Sequence, residues 1–128
     1  MRLWHELLIP VLPRAQLLGQ HRECCALRGL SWGKRHAVVD YVFVHERERL
    51  VAYHERVIAE MRRRGYTVDS AWDDPAYRGR RCPPEAPDPV RLAEARSFYP
   101  AYPEHDAGYL AECLDNLRGK GALPKDYG

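Results

Sequence analysis

The stretch ERERLVAYHERVIAEMRRR, residues 46–64, decides the fold because it predicts one long amphipathic helix. Its core-facing side chains recur at intervals of three and four residues, which places them on one helix face; they are Leu50, Val51, His54, Val57, Ile58 and Met61. Acidic residues lie near its start and arginines near its end, as the helix dipole favours. Gly65 follows, and glycine suits the left-handed conformation in which many helices end. We therefore expect a helix from about Glu46 to Arg64.

Three segments precede this helix. Residues 1–12 form an apolar N-terminal arm, and Pro13 opens a first helix that we expect to reach about Leu27. Gly29 is expected to end that helix in a left-handed conformation. The apolar stretch 37–44 is too short for its periodicity to distinguish a buried strand from an extended segment beneath a helix.

The C-terminal half alternates irregular and helical segments. Four prolines and the basic cluster of Arg78, Arg80 and Arg81 predict an irregular stretch over residues 66–87. Asp88 and Pro89 are typical of the N-cap and first turn of a short helix, here to about Phe98. A last helix is expected from Glu104 to Arg118, ended by Gly119, with a mobile tail over residues 119–128. The predicted fold is mainly α, a single compact domain over residues 1–128 with three to four helices and irregular loops.

Composition restricts the class of protein more than the kind of partner. The chain has 128 residues, 45% hydrophobic and 30% charged, which is the balance of one globular domain. A net charge of +2 identifies no partner, but most of the cations are arginines, which bind phosphates in a forked geometry. The longest apolar run near the start is too short to span a membrane. The four cysteines lack metal-clamp or redox spacing, and we expect them to be reduced, and structural or incidental, in a cytoplasmic protein.

Few residues stand out as candidates for chemistry. The sequence has no nucleophile elbow and no glycine-rich phosphate loop. Glu23 follows Arg22 in the first helix, and such a pair is either a solvated ion pair or a carboxylate placed beside a nucleophile. His54, on the apolar face of the long helix, is interpreted as a hydrogen-bonded core histidine. The histidines form no HExxH or other tight ligand spacing, and a metal site assembled from distant histidines stays open without a signal that favours it.

Several short motifs occur in the order and spacing of a known family. They are Arg2, Gln16-Leu17-Leu18, Arg22-Glu23, residues 36–43, residues 58–66, Tyr77-Arg78-Gly79 and residues 98–102. On these motifs the chain resembles the phage-type pyrimidine-dimer DNA glycosylases with AP-lyase activity, also called dimer-cleaving endonuclease V. The resemblance covers most of residues 1–102, and the end of the chain departs from it.

The resemblance implies an enzyme that uses its N-terminal amine on damaged duplex DNA. The amine attacks C1′ of the damaged nucleotide, a Schiff base forms, and β-elimination cuts the strand. On this chain the catalytic groups are the α-amine of Met1 and the carboxylate of Glu23. An α-amine has a pKa near 8, so a useful fraction is neutral at pH 7. Family members expose threonine after removal of methionine, whereas the bulky Arg2 is expected to prevent that removal here.

The expected partner is double-stranded damaged DNA, with pyrimidine dimers as the lesion. Arg2 and Arg22 match the residues that hold phosphates in the family, and further DNA contacts are assigned to Arg28, Lys34, Arg35 and Arg78. No cofactor, metal ion or membrane is expected, and the protein is expected to be a monomer.

Two alternatives remain open from the sequence. One is a lyase that acts on abasic sites or on another base lesion. The other is a nucleic-acid-binding module without catalysis, which an N-terminus pointing into solvent away from the first helix would favour.

Overall fold

A computed structural model of the chain describes residues 2–29 and 39–127, and these residues contain helices but no β-strand. The α-helices are α1 (Arg14–Arg28), α2 (Asp40–Val44), α3 (Arg47–Arg63), α4 (Pro89–Ser97) and α5 (Ala107–Gly119). Short 3₁₀ helices lie at Glu6–Val11, Ser70–Asp73 and Lys125–Tyr127. The mainly α prediction is confirmed, and the four longer α-helices are the predicted ones. Within the described residues, no helix combines the length and the apolar character needed to cross a membrane.

The long helix α3 is the centre of the core. It packs along α1 on one side and against α4 on another. Its Leu50, Tyr53 and Val57 are fully buried, as the apolar face predicts. From α1, Leu17, Cys24 and Leu27 point into the same core at intervals of three and seven residues. Burial of these two facing stripes holds the two helices together.

The apolar N-terminal arm runs through the interior of the protein. Leu3 and Leu8 have no exposed surface, and Trp4 is 7% exposed. His5 caps the first 3₁₀ helix, since its Nδ1 accepts a hydrogen bond of 3.1 Å from the Leu7 N–H. The arm is therefore a packed element of the core.

The predicted helix ends are largely confirmed. Asp88 caps α4, because its Oδ1 accepts hydrogen bonds of 2.9 and 3.0 Å from the Val90 and Arg91 N–H groups. Gly65 has a φ of 86°, the left-handed conformation expected after α3. The helix α5 begins at Ala107, later than expected, because Asp106 supplies the cap by accepting from the Tyr109 N–H at 2.8 Å.

Two local predictions were wrong. Gly29 is not left-handed, since its φ is −102°. A glycine is required at position 29 for another reason: the Arg78 carbonyl oxygen lies 2.6 Å from the place that a Cβ would occupy. The described part of the stretch 37–44 is neither strand nor extended, because residues 40–44 form α2. Val39 and Val42 are both fully buried, and their spacing of three suits a helical turn rather than a strand.

Candidate active site

Glu23 lies on α1 facing the N-terminal arm, and it is half-buried. Its Oε2 accepts a hydrogen bond from the Arg2 backbone N–H at 3.3 Å and one from Gln20 Nε2 at 3.0 Å. Gln20 and Glu23 are three residues apart on one helix, so both side chains reach the same segment of the arm. The carboxylate therefore sits beside the first peptide bond of the chain.

Gln20 makes four hydrogen bonds, of which two hold the arm and two join Tyr53 and Glu23. Its Oε1 accepts from the Trp4 N–H at 2.7 Å and lies 2.6 Å from the Tyr53 hydroxyl, while its Nε2 donates to the Arg2 carbonyl at 2.8 Å and to Glu23. Only one orientation of the amide satisfies these partners, because the Trp4 N–H is a donor and the Arg2 carbonyl an acceptor. Gln20 is 1% exposed, so each lost partner would leave a buried polar group unpaired.

The other side of the arm is held by the C-terminal part of the chain. The Tyr109 hydroxyl of α5 donates to the Leu3 carbonyl, and His105 Nδ1 accepts from the Glu6 N–H at 3.0 Å. The Arg2 guanidinium lies 3.6 Å from a Glu112 carboxylate oxygen and 5.7 Å from the centre of the Tyr109 ring. The arm is thus clamped between α1 and α5.

The surroundings of Glu23 alter its acidity. Burial raises the pKa of this carboxyl above its ordinary value, while the Arg2 N–H, the Arg22 guanidinium and Gln20 partly offset the rise. A carboxyl group with a raised pKa exchanges protons more readily near neutral pH. Glu23 is thus a half-buried carboxyl with a raised pKa beside the Arg2 N–H, which makes it the candidate for proton transfer at this site.

The predicted DNA-binding residues fall in different places. Arg22 is exposed, and it has no hydrogen-bond partner among the described residues. Arg2 is partly buried beside α5, with its side chain 15% exposed. Arg78 is half-buried, and its Nε donates to the Arg28 carbonyl at the end of α1 at 3.0 Å. Met1, Lys34 and Arg35 lie outside the described residues.

Arg28 is a correction to the predicted set. It has no exposed surface, and its guanidinium donates to the carbonyls of Asp74 at 2.8 Å, Tyr77 at 3.0 Å and Trp72 at 3.3 Å. A guanidinium enclosed in this way joins α1 to the loop after α3 and does not reach a DNA phosphate in this conformation. The sequence could not show this burial, because an arginine at a helix end is typically a surface residue.

A basic pocket lies next to the carboxyl end of α1. It has a volume of about 430 Å³ and is lined by Cys25, Ala26, Gly29, Trp72, Arg78, Gly79, Arg80, Arg81 and Cys82. The cluster of arginines that the sequence indicated thus faces a cavity together with an aromatic ring. Cations beside an aromatic surface suit phosphates and bases.

The site contains residues that the sequence reasoning did not single out. Gln20, Tyr53 and Tyr109 position the arm, yet they lie on three helices and up to 89 positions apart in the chain. Only Gln20 carried a usable signal, its spacing of three from Glu23.

A family model described as pyrimidine dimer DNA glycosylase matches residues 1–74. The matched range is more than half of the chain and contains the arm, α1 and α3, whereas α4 and α5 follow it. No curated protein and no solved structure gives a significant match to the chain.

Proposed function

Because the chain belongs to the pyrimidine dimer DNA glycosylase family, we propose that it excises a damaged base from duplex DNA and then cleaves the strand as an AP lyase. The proposed lesion is the pyrimidine dimer, and the proposed unit is a single-domain monomer without a cofactor. One observation carries the lyase proposal: the Glu23 carboxylate accepts a hydrogen bond from the backbone N–H of Arg2, the residue next to the proposed nucleophile.

Chain connectivity bounds the distance between the two proposed catalytic groups. Met1 is joined to Arg2 by one peptide bond, so its amine can lie no more than about 4 Å from the Arg2 nitrogen. The Arg2 nitrogen is 3.3 Å from Glu23 Oε2. Covalent geometry alone therefore keeps the amine within about 7 Å of that oxygen, and arrangements in which the two groups share a water or a hydrogen bond lie inside this limit.

The proposed reaction divides between these two groups. The neutral amine of Met1 bonds to C1′, the glycosidic bond breaks with its electrons going to the departing base, and the amine loses a proton. Opening of the sugar then gives the Schiff base, and loss of a C2′ proton breaks the C3′–O bond. Glu23 is proposed to accept and return these protons, a role that its raised pKa supports.

DNA is proposed to bind across the face that carries Arg22 and the basic pocket. Arg22 is exposed beside Glu23, and Arg78, Arg80 and Arg81 line the pocket at the end of the same helix. Phosphate contacts by such residues supply affinity and position the duplex. Lys34 and Arg35 are proposed to extend this face.

The test is covalent trapping of the protein on DNA that contains an abasic site. With an unextended N-terminus and sodium borohydride, we expect a stable protein–DNA band, because borohydride reduces a Schiff base to an amine. A Gly-Ser-His extension before Met1 should abolish the band, since the Met1 nitrogen then becomes an amide. The same extension after Gly128 is the matched control and should leave the band intact.

Two results would decide against the proposal. Absence of trapping with the unextended protein, while DNA binding persists, would favour a non-catalytic nucleic-acid-binding module. Trapping by an N-terminally extended protein, shown intact by mass spectrometry, would transfer the nucleophile to Lys34, Lys120 or Lys125, the only lysines in the chain. Glycosylase assays on dimer-containing duplexes would then separate the pyrimidine-dimer lesion from other base lesions.

A further inference from the structure

Away from Glu23, three side chains with metal-binding atoms converge between α1 and α3. His21 and Cys25 are four residues apart on α1, and His54 faces them from α3. Their ligand atoms all lie within 4.8 Å of one another. His54 is fully buried, as the core-histidine interpretation predicts, whereas His21 and Cys25 are partly accessible.

The distances in this cluster are close to those around a tetrahedral metal ion. His21 Nδ1 lies 2.8 Å from His54 Nε2, and Cys25 Sγ lies 3.8 Å from His21 Nδ1 and 4.0 Å from His54 Nε2. Zinc bonds of about 2.0–2.1 Å to nitrogen and 2.3 Å to sulfur require separations of about 3.3 Å between nitrogens and 3.6 Å between nitrogen and sulfur. Shifts of about half an ångström would reach that geometry.

We propose that His21, Cys25 and His54 bind one Zn²⁺ ion, with a solvent molecule as the fourth ligand. Two imidazoles and a thiolate are ligands that zinc prefers over magnesium or calcium. Cys25 also lines the basic pocket of about 430 Å³, so the thiol side of the cluster opens to that pocket. Trp72, which lines the same pocket, packs against the cluster with its ring centre 5.7 Å from that of His54.

Arg28 determines how the imidazoles share their protons. Its Nη1 lies 3.1 Å from His54 Nδ1, and because a guanidinium only donates, Nδ1 accepts. In the metal-free protein, His54 Nε2 therefore carries the ring proton and donates to His21. When zinc takes Nε2, that proton moves to Nδ1, Arg28 keeps its bond to the Trp72 carbonyl, and Cys25 releases its thiol proton to solvent. This rearrangement makes the site weaker than a four-ligand structural zinc site.

The ion would join two helices without entering the reaction. His21 and Glu23 are two residues apart on α1, which places their side chains about 200° apart around the helix. Glu23 keeps its hydrogen bonds with Arg2 and Gln20 on the opposite face. Zinc would thus fasten α1 to α3 beneath the active site, and its binding is independent of the proposed lyase activity.

The test is a titration of the untagged, chelator-treated full chain with Co²⁺, a spectroscopic substitute for Zn²⁺. We expect one equivalent to give visible d–d bands of a tetrahedral site and a thiolate-to-cobalt charge-transfer band, both displaced by Zn²⁺. Cys25→Ser should lose the charge-transfer band, while Cys82→Ser, which changes a cysteine lining the same pocket, should keep it. A featureless wild-type titration, or a charge-transfer band that survives in Cys25→Ser, overturns the proposal.

A second measurement does not depend on the folding of a variant. All four cysteines are free, and Cys25 and Cys82 are the two that are not buried, so their reaction with iodoacetamide can be compared by peptide mass spectrometry. We expect Zn²⁺ to slow the alkylation of Cys25 several-fold and to leave that of Cys82 unchanged. Equal alkylation of Cys25 with and without Zn²⁺ contradicts the site.

Discussion

Glu23 is the residue on which the proposed chemistry depends most directly. Its carboxylate accepts hydrogen bonds from the Arg2 N–H and Gln20, and an amide oxygen in Glu23→Gln can accept both. We therefore expect Glu23→Gln to fold normally and to bind DNA at least as tightly as wild type. Strand cleavage at an abasic site should fall by at least 10²-fold, because the proton acceptor is gone.

Single-turnover cleavage and a binding titration on the same duplex measure the two effects separately. Glu94→Gln, the same change at an exposed position on α4, is the matched control. Cleavage by Glu23→Gln at the wild-type rate would show that this carboxylate only holds the arm.

Arg22 tests the proposed DNA face at a single position. It is exposed and makes no hydrogen bond or ion pair with the described residues, so Arg22→Ala should change the stability of the fold little. Loss of one phosphate contact should weaken binding to damaged and undamaged duplexes alike. It should also make the negative slope of log K against log salt shallower by about one. Arg91→Ala, which removes an exposed arginine from α4, controls for net charge. Equal salt slopes for both variants and wild type would remove Arg22 from the DNA face.

At the scale of elements, α5 has a role that the family match does not include. It follows the matched residues 1–74, yet its Tyr109 hydroxyl donates to the Leu3 carbonyl of the arm. Tyr109→Phe leaves that buried carbonyl without its donor, which should lower the free energy of unfolding by about 1–3 kcal/mol. The looser arm should also place the amine less accurately, so the cleavage rate should fall while DNA affinity stays near wild type.

Rapid-quench single-turnover kinetics with saturating enzyme gives this rate without a contribution from binding. Tyr127→Phe removes a hydroxyl from a more exposed tyrosine and should change neither stability nor rate. If Tyr109→Phe loses stability but cleaves at the wild-type rate, α5 supports the fold without positioning the arm.

At the scale of the whole molecule, buried histidines make stability depend on pH. Burial lowers the pKa of His5, His21 and His54, and it lowers the pKa of His105 to about 3. The unfolded chain therefore binds protons first as the pH falls below about 6.5. The stability that the neutral, buried histidines contribute is complete above that pH. It is lost progressively as the pH falls towards 3.

His105 is the histidine best suited to measure this effect. Its Nδ1 accepts from the Glu6 N–H, and its Nε2 lies 2.7 Å from the Tyr41 hydroxyl. Between pH 7.5 and pH 5, this residue alone should lower the free energy of unfolding of wild type by about 2 kcal/mol, which urea unfolding measures. His105→Gln, less stable at pH 7.5, should show a smaller loss over the same interval. Equal losses in the two proteins would exclude His105 as the source.

Most of the helices could be predicted because their causes are local. The apolar spacing of residues 46–64, the cap at Asp88 with Pro89 and the left-handed Gly65 each depend on a few neighbouring residues. The stretch 37–44 could not be assigned, because a short apolar run suits several conformations until its neighbours are known. Gly29 was assigned to a helix end, whereas the close approach of the Arg78 carbonyl, 49 positions away, explains it.

The sequence by itself determined the helical class, the main helix boundaries and, through motif order, the family and the candidacy of Glu23. Tertiary structure decided which side chains meet: Gln20 and Tyr109 on the arm, Arg28 in the interior, and His54 against His21 and Cys25. The physical reason is the separation along the chain over which each kind of interaction acts. Caps and amphipathic spacing act over a few residues, whereas these contacts join positions 16 to 106 apart and exist only once α1, α3 and α5 have packed around the arm.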